Sequence, residues 1–321
     1  MKVIGITIGD PAGVGPELIV RLTPHLDKET AYVVYGEYKI LRACASHLGM
    51  DWEFPTVEKV EDIKEPGVYV IDLNVCDTDR PSASITSGKV AVAYLARAVV
   101  DGVTGKIKGM VTMPINKFWA SRAGFSYSGQ TEFLAQAFSV KDYAMLMYSE
   151  KVKVALLSTH LPLREAVQMV KKDLIKRKLL LVIGEYRRLF KVDPKVGVLG
   201  LNPHAGDMGQ IGNEDVEEIL PAVEELRSEG YKVEGPLSPD AAFLEPSAYD
   251  IFFCMYHDQG LIPFKILAFR EGVNITLGIP IVRTSPAHGT AYSIAWKGKA
   301  DISPSLHALH LCRQLVYNMD P

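Results

Sequence analysis

The chain opens with the apolar run Val3-Ile4-Gly5-Ile6-Thr7-Ile8, which Gly9-Asp10-Pro11-Ala12-Gly13-Val14-Gly15-Pro16-Glu17 follows directly. The first segment has the length and apolar character of a buried strand. The glycines of the second segment permit a tight turn, and Pro16 suits the first position of a helix. We therefore predict a strand, a turn and a helix over 16–22, which is the repeating unit of an α/β protein.

The same alternation of strand and helix continues along the chain. Further strands are predicted at 32–35, 68–71, 109–112, 144–147, 153–158, 196–199 and 251–255, and further helices at 89–100, 133–138, 171–190, 216–228 and 305–317. Strands that are apolar throughout are typical of a largely parallel sheet that is covered on both faces. Because 321 residues exceed what one core usually serves, we expect two α/β lobes with a cleft between them.

Composition narrows the class of protein. Hydrophobic residues make up 48% and charged residues 23% of the chain, as in a soluble enzyme. The net charge of −3 disfavours a nucleic-acid partner, and the sequence has neither a membrane-length apolar run nor a signal peptide. The four cysteines form no CxxC pair, so we expect neither a disulfide framework nor a cysteine zinc site, and the predicted location is the reducing cytoplasm.

Three histidines stand just after predicted strands. His160 follows 152–157, His204 follows 196–199, and His257 follows 251–255. The carboxyl ends of parallel strands share one edge of a sheet, where ligands bind. Imidazole suits zinc and other divalent ions, and three protein ligands leave a position for a substrate oxygen. A single histidine there would more simply be a capping residue, but the repetition favours a shared metal site.

Other polar groups are candidates for binding anions or a nucleotide. Gln130 and Thr131 precede a predicted helix, where donors suit an anion, although Glu132 could equally be part of a cap. Lys265 and Arg283, with Asn274 between them, could clamp a phosphate or be ordinary surface charge. The loop 283–291 is a weak nucleotide-loop candidate. The turn 9–17 matches neither a P-loop nor the G-x-G-x-x-G fingerprint, and it could be a plain strand-to-helix connection.

Taken together, these segments resemble the 4-hydroxythreonine-4-phosphate dehydrogenase family of pyridoxal phosphate biosynthesis. The segments that carry the resemblance are Asn202-Pro203-His204-Ala205-Gly206, Tyr256-His257-Asp258-Gln259-Gly260 and Val273-Asn274-Ile275-Thr276-Leu277-Gly278. More distantly, 9–17 and 288–291 resemble loops of isopropylmalate and isocitrate dehydrogenases, which bind NAD(P) without the usual fingerprint. The resemblance implies two α/β/α lobes of that kind. The first would span 1–130 and 270–321 with the cofactor loops, and the second would span 131–269 with the metal ligands and dimer contacts.

The resemblance also implies roles for individual residues. The metal ligands would be His160, His204 and His257, the last from the partner subunit of an obligate homodimer with a shared active site. Five residues would bind the substrate, chiefly its phosphate: Gln130, Thr131, Lys265, Asn274 and Arg283. Asp240 would lie near the reacting centre and transfer a proton or orient the substrate. His288, Gly289 and Ser293 would bind NAD or NADP, and the ion would be zinc, with magnesium, cobalt or manganese as alternatives.

The implied reaction is oxidation of 4-phosphohydroxy-L-threonine to a β-keto acid, which decarboxylates to 3-amino-2-oxopropyl phosphate. Two departures from the family pattern bear on it. Gln130 stands where the family usually has histidine, and Ser293 replaces an acid that, in the related decarboxylating dehydrogenases, helps select NAD over NADP. The alternatives are a paralogue that oxidises phosphorylated threonate or erythronate, a three-histidine metal hydrolase or lyase, and a non-catalytic protein that binds phosphorylated metabolites.

Overall fold

The computed structural model describes residues 1–319, which form two compact units. Unit 1 consists of Met1–Val140 and the chain from Ile279 onwards, and unit 2 consists of Lys141–Gly278. Residues 131–140 and 270–278 thus lie in the other unit from the one expected from the sequence. Leu134 is buried in the core of unit 1, and the strand that begins at Val273 pairs with a strand of unit 2, which explains both differences.

Unit 1 is a parallel sheet with helices. Its elements are β1 (Val3–Thr7), α1 (Gly15–Leu22), β2 (Ala31–Gly36), α2 (Tyr38–His47), β3 (Gly67–Asp72), α3 (Ile85–Val103), β4 (Gly109–Thr112), α4 (Lys117–Arg122), α5 (Gln130–Ala137), β11 (Val282–Pro286) and α10 (Ser303–Met319). The strand order is β3-β2-β1-β4-β11, and each neighbouring pair is parallel. Every residue of β1, β2, β4 and β11 is buried, so both faces of these strands are covered.

The helix α3 shows how local sequence and packing agree in unit 1. It begins with a capping box, in which the Ser87 backbone N–H donates to Ser84 Oγ at 3.2 Å and the Ser84 N–H donates to Ser87 Oγ at 3.1 Å. The buried face of α3 includes Leu95, Ala98 and Val99, which pack with side chains of the strands in one core cluster.

Unit 2 is a mixed sheet with helices. Its elements are β5 (Ala144–Tyr148), β6 (Lys153–Leu156), α6 (Leu163–Gln168), α7 (Lys172–Phe190), β7 (Val196–Leu199), α8 (Leu220–Ser228), β8 (Val233–Leu237), β9 (Ile251–Cys254), α9 (His257–Ala268) and β10 (Val273–Leu277). The strand order is β10-β5-β6-β9-β7-β8. The pairs β10–β5 and β5–β6 are antiparallel, and the rest are parallel. The predicted α/β class with a largely parallel sheet is confirmed.

Several elements differ from the sequence-based expectation. Arg283 lies within the strand β11, where the sequence predicted a polar loop, and Asn274 lies within the strand β10, for which no element was predicted. The helix α9 begins at His257 itself. After the 283–291 loop the chain forms a series of turns over 292–298. Among residues 1–319, no helix has the length and apolar character that crossing a membrane requires.

Candidate active site

The three histidines follow three neighbouring strands of unit 2. The order β6-β9-β7 is parallel throughout, so the carboxyl ends of these strands lie along one edge of the sheet. His160 comes after β6, His204 after β7, and His257 is the first residue of α9 after β9. The sequence-based expectation that all three residues follow strands at a common edge therefore agrees with the strand order.

His160 and His257 lie together. Their ring centroids are 5.9 Å apart at an interplanar angle of 40°. Both line a cleft of about 280 Å³ in unit 2, together with Thr159, Tyr256 and Asp258 among others. The Nδ1 atom of His257 is 2.7 Å from Asp258 Oδ1. When Nδ1 donates this hydrogen bond, Nε2 is unprotonated, and its lone pair can bind a metal ion.

His204 is exposed in a loop of unusual conformation. The residues 204–208 all have positive φ, beginning with 53° at His204. Asp240 lies near enough to His204 for the histidine charge to contribute to lowering the pKa of the Asp240 carboxyl. The largest contribution to this lowering is the hydrogen bond that Ser238 Oγ donates to Asp240 Oδ1 at 2.7 Å. Asp240 is thus a solvent-accessible, ionised carboxylate beside the His204 loop.

The predicted metal set is not assembled within one chain. Among residues 1–319, no group of three or more His, Cys, Asp or Glu side chains is close enough to hold a metal ion. Within one chain His160 and His257 are adjacent, whereas the resemblance implied the His257 of the partner subunit, and His204 stands in its own loop.

Three predicted substrate-binding residues lie in unit 1. Gln130 and Thr131 open α5, and Arg283 lies in β11, where it is only 3% exposed. Arg283 Nε and Nη2 donate to Thr112 Oγ1 at 3.1 and 2.7 Å. Burial lowers the pKa of Arg283 to about 10, and the charge of Glu132 opposes this shift, so the guanidinium is cationic at neutral pH. Thr112 was not predicted, because it stands in no recognisable pattern, and Glu132 was predicted only as a possible cap residue.

The other two predicted substrate-binding residues lie in unit 2. Lys265 is exposed on α9, and Asn274 is half-buried in β10, where its Nδ2 donates to Met145 Sδ at 3.3 Å. Buried side-chain atoms without a hydrogen-bond partner within residues 1–319 include Asn274 Oδ1, Gln130 Oε1 and His288 Nε2. Unsatisfied buried polar atoms are rare in folded proteins, and these three belong to residues predicted to bind ligands.

The predicted cofactor loop packs against the turn that opens the chain. Val14 N–H donates to Thr290 O at 2.9 Å, and a Cβ on Gly13 would lie only 2.8 Å from the same oxygen, so this close approach requires glycine. His288 Nδ1 is 3.0 Å from Gly289 O, and Ser293 is exposed. Both loops lie at the carboxyl edge of the sheet in unit 1, where α/β proteins bind ligands.

Two buried carboxylates hold these loops together. Asp10 is fully buried, accepts a 2.6 Å hydrogen bond from Tyr292 Oη and accepts another from the Ala12 N–H at 3.0 Å. Burial raises the pKa of Asp10, and these hydrogen bonds oppose the rise. Glu17, also fully buried, accepts from the N–H groups of Lys297 and Ala300 at 3.1 and 2.9 Å. Neither acid was assigned a role from the sequence, although both stand in the opening motif.

Comparison with known proteins agrees with these observations. The family described as "Pyridoxal phosphate biosynthetic protein PdxA" matches residues 28–312. A curated 4-hydroxythreonine-4-phosphate dehydrogenase of Aquifex aeolicus (strain VF5) is 59% identical, over 98% of this chain and 98% of its own length. A D-threonate 4-phosphate dehydrogenase of Salmonella typhimurium is 36% identical, over 98% of this chain and 99% of its own.

A solved structure has the same fold. The crystal structure of a 4-hydroxythreonine-4-phosphate dehydrogenase from Klebsiella pneumoniae superposes with a TM-score of 0.86 at 34% identity, covering 98% of this chain and 100% of that chain. The expected family and the expected dehydrogenase class are confirmed. The chain belongs to the family of the pyridoxal phosphate biosynthetic protein PdxA.

Proposed function

We propose that this protein oxidises 4-phosphohydroxy-L-threonine with NAD or NADP. The β-keto acid so formed would lose carbon dioxide to give 3-amino-2-oxopropyl phosphate. The observation that carries the proposal is the 59% identity with a 4-hydroxythreonine-4-phosphate dehydrogenase over 98% of both chains. The paired histidines at the strand edge and the buried cationic Arg283 are groups that such a reaction can use.

The residues at the carboxyl edge of unit 2 fit a divalent ion. With metal–nitrogen bonds of about 2.0–2.1 Å, two imidazoles on one ion have centroids roughly 5–6 Å apart, and His160 and His257 are 5.9 Å apart. We propose that His160, His204 and His257 hold the ion and that zinc is preferred over magnesium, cobalt and manganese. Such an ion would supply Lewis acidity that lowers the pKa of the substrate hydroxyl.

Within this scheme, Asp240 is the proposed proton acceptor. Its carboxylate is ionised because Ser238 donates a hydrogen bond to it and His204 is nearby, so it can take the hydroxyl proton as hydride leaves for the nicotinamide. The proposed substrate-binding residues are Gln130, Thr131 and Arg283 in unit 1, with Lys265 and Asn274 in unit 2. Their roles are to bind the phosphate and to orient the reacting carbon.

The cofactor loop is the proposed binding place of the dinucleotide. His288 Nε2 is buried without a hydrogen-bond partner in the described chain, and Gly289 is exposed beside it, so a ligand could satisfy the imidazole. Ser293 offers a hydroxyl and no negative charge, so it does not repel a 2′-phosphate. We therefore expect NADP to be accepted as well as NAD.

A homodimer with a shared active site is part of the proposal. The exposed large apolar side chains of unit 2 include Ile262 and Ile266 on α9 and Phe269 directly after it, which are 59%, 79% and 57% exposed. Burying such side chains against a second copy would be favourable. Because one chain, as far as it is described, brings no group of three ligands together, the second copy is proposed to complete the metal site.

The reducing cytoplasm is the proposed compartment. The cysteines Cys44, Cys76, Cys254 and Cys312 all lie within residues 1–319, and all are free and buried. Thiols that are kept reduced are typical of that compartment.

A substrate panel tests the activity. The purified protein would be assayed for NAD(P)H formation with 4-phosphohydroxy-L-threonine, D-threonate 4-phosphate and D-erythronate 4-phosphate, each with NAD and NADP and with added zinc, magnesium or manganese. We expect the highest kcat/KM with the amino-hydroxy acid. A higher kcat/KM with the threonate would assign the protein to the function of the 36%-identical relative. Substrate consumption without NAD(P)H would favour a metal hydrolase or lyase, and substrate binding without turnover would indicate a non-catalytic binding protein.

A further inference from the structure

The turns over 292–298, which belong to the proposed cofactor loop of unit 1, carry a lysine that folds back onto Ser293. Lys297 Nζ donates to the backbone oxygen of Ser293 at 2.7 Å, and both residues are exposed. A positively charged ammonium group therefore lies beside an uncharged hydroxyl residue at the surface of the loop.

A second cation reaches the same turns from the loop that follows β3. The guanidinium carbon of Arg80 lies over the ring of Trp296, 5.5 Å from the ring centroid. Trp296 is only 5% exposed, and its ring is tilted against that of His47, with the centroids 6.5 Å apart. The attraction between a guanidinium and an indole ring needs none of the five N–H donors of arginine, so these donors stay available to a ligand.

Glu17 fixes the turns from the inside of unit 1. It is fully buried and accepts from the N–H groups of Lys297 and Ala300 at 3.1 and 2.9 Å, while Arg21 Nη1 donates to Glu17 Oε1 at 3.2 Å. Trp296 has a φ of 61°, a left-handed conformation that a residue with a side chain keeps only where its surroundings enforce it. The backbone under both cations is thus set before a ligand arrives, which lowers the cost of binding one.

The two cations are not neutralised by neighbouring acids. Within residues 1–319, neither Arg80 nor Lys297 forms an ion pair with a carboxylate, although Asp77 and Asp79 stand on the loop of Arg80. In α/β proteins that bind dinucleotides, a carboxylate accepts hydrogen bonds from the ribose of NAD, whereas an arginine accommodates the 2′-phosphate of NADP. Two unpaired cations beside the uncharged Ser293 match the second case.

We propose that Arg80 and Lys297 bind the 2′-phosphate of NADP, with the Ser293 hydroxyl as a further donor, and that the protein binds NADP more tightly than NAD. Arginine supplies parallel donors to two phosphate oxygens, and lysine supplies a compact charge. The inference rests on the proposed function only in placing the dinucleotide at this loop. It depends neither on the metal, nor on the substrate, nor on a second copy of the chain.

Titration calorimetry on the full-length protein tests the inference with fragments of the cofactor, so that no turnover is needed. The ligands are adenosine 2′,5′-bisphosphate, adenosine 3′,5′-bisphosphate and 5′-AMP, of which the second has the charge of the first with one phosphate on the neighbouring hydroxyl. The variants are Arg80→Met and Lys297→Met, which keep a long side chain and remove the charge. Lys108→Met is the matched control, because Lys108 is also exposed and stands directly before β4, at the opposite end of that strand from the loop.

We expect the wild type to bind the 2′,5′-bisphosphate about ten- to a hundredfold more tightly than either of the other ligands. Arg80→Met and Lys297→Met should each weaken binding of the 2′,5′-bisphosphate about ten- to a hundredfold and leave binding of 5′-AMP unchanged. Lys108→Met should match the wild type with all three ligands. If one of the two loop variants does not fold, the other decides the result.

Equal binding of the two bisphosphates by the wild type would overturn the inference, and so would a 2′,5′ preference that survives in the loop variants. A loss of the same size in Lys108→Met would show a general effect of charge and would also overturn it. If the fragments bind as expected but the substrate panel gives no NAD(P)H, the proposed activity fails and the inference stands. If the wild type binds none of the three ligands, dinucleotide binding at this loop and the inference fail together.

Discussion

The hydrogen bond from Tyr292 to the buried Asp10 makes a prediction that the structure quantifies. Tyr292→Phe removes a 2.6 Å hydrogen bond from a carboxylate that has no solvent exposure. Hydrogen bonds to charged groups contribute about 1.5–3 kcal/mol. We therefore expect the free energy of unfolding to fall by about 1.5–3 kcal/mol at neutral pH. Because Tyr292 lies in the proposed cofactor loop, KM for the dinucleotide should rise as well.

The loss should depend on pH. Burial raises the pKa of Asp10 in the folded protein above its unfolded value. Stability from the protonated form is therefore fully present below the unfolded pKa and is lost as the pH rises through the folded pKa. Removing the Tyr292 hydrogen bond raises the folded pKa further. The variant should thus be most destabilised at neutral pH, and the difference from wild type should shrink to about 1 kcal/mol once Asp10 is protonated.

Urea unfolding followed by tryptophan fluorescence measures this effect. The protein's three tryptophans, Trp52, Trp119 and Trp296, all lie in unit 1, as Tyr292 does, so the signal reports on the unit that is changed. Tyr94→Phe is the matched control, because the buried Tyr94 hydroxyl has no hydrogen-bond partner in the described chain, and its removal should be neutral or slightly stabilising. Equal losses in both variants, or a Tyr292→Phe loss that grows in acid, would refute the reasoning.

Three further outcomes are expected. Arg283→Lys should raise KM for phosphorylated substrate about ten- to a hundredfold by losing the planar fork of donors, and an equal loss with an unphosphorylated analogue would contradict the phosphate role. Ser238→Ala should raise the pKa of Asp240 and move the acid limb of the kcat/KM–pH profile to higher pH; an unmoved limb would remove Asp240 from proton transfer. Ile266→Asp should shift the sedimentation equilibrium towards monomer, whereas Val100→Asp, at an exposed valine of unit 1, should not.

The fold could be predicted where local pattern and burial coincide. The opening strand, turn and helix follow from an apolar run, glycines and Pro16, and the histidines were located because each follows an apolar strand. The strand β10 was missed because it is short and interrupted by Asn274, and β11 was missed because Arg283, Thr284, Ser285 and Pro286 read as a polar loop. The helix α9 was missed because it contains Gly260 and Pro263, and an internal proline is typical of a helix break.

The contacts that shape the site are less visible in sequence. Asp215 lies 14 residues after Leu201, and nothing local to Asp215 shows that its carboxylate accepts hydrogen bonds from the segment that leads into the His204 loop. The left-handed run could not be predicted either, since His204, Ala205, Asp207 and Met208 are not residues that require positive φ. The buried Asp215 accepts hydrogen bonds from Leu201 and Asn202, which lead into this run.

Metal dependence of turnover tests the central claim most directly. The rate of NAD(P)H formation from 4-phosphohydroxy-L-threonine would be measured for the purified protein, for the same protein after exhaustive chelation, and after zinc is added back. We predict that chelation abolishes turnover, that zinc restores it, and that neither treatment changes the rate of His204→Ala, which stays inactive. Near-full activity after chelation, with the metal content shown to be negligible, would contradict the account.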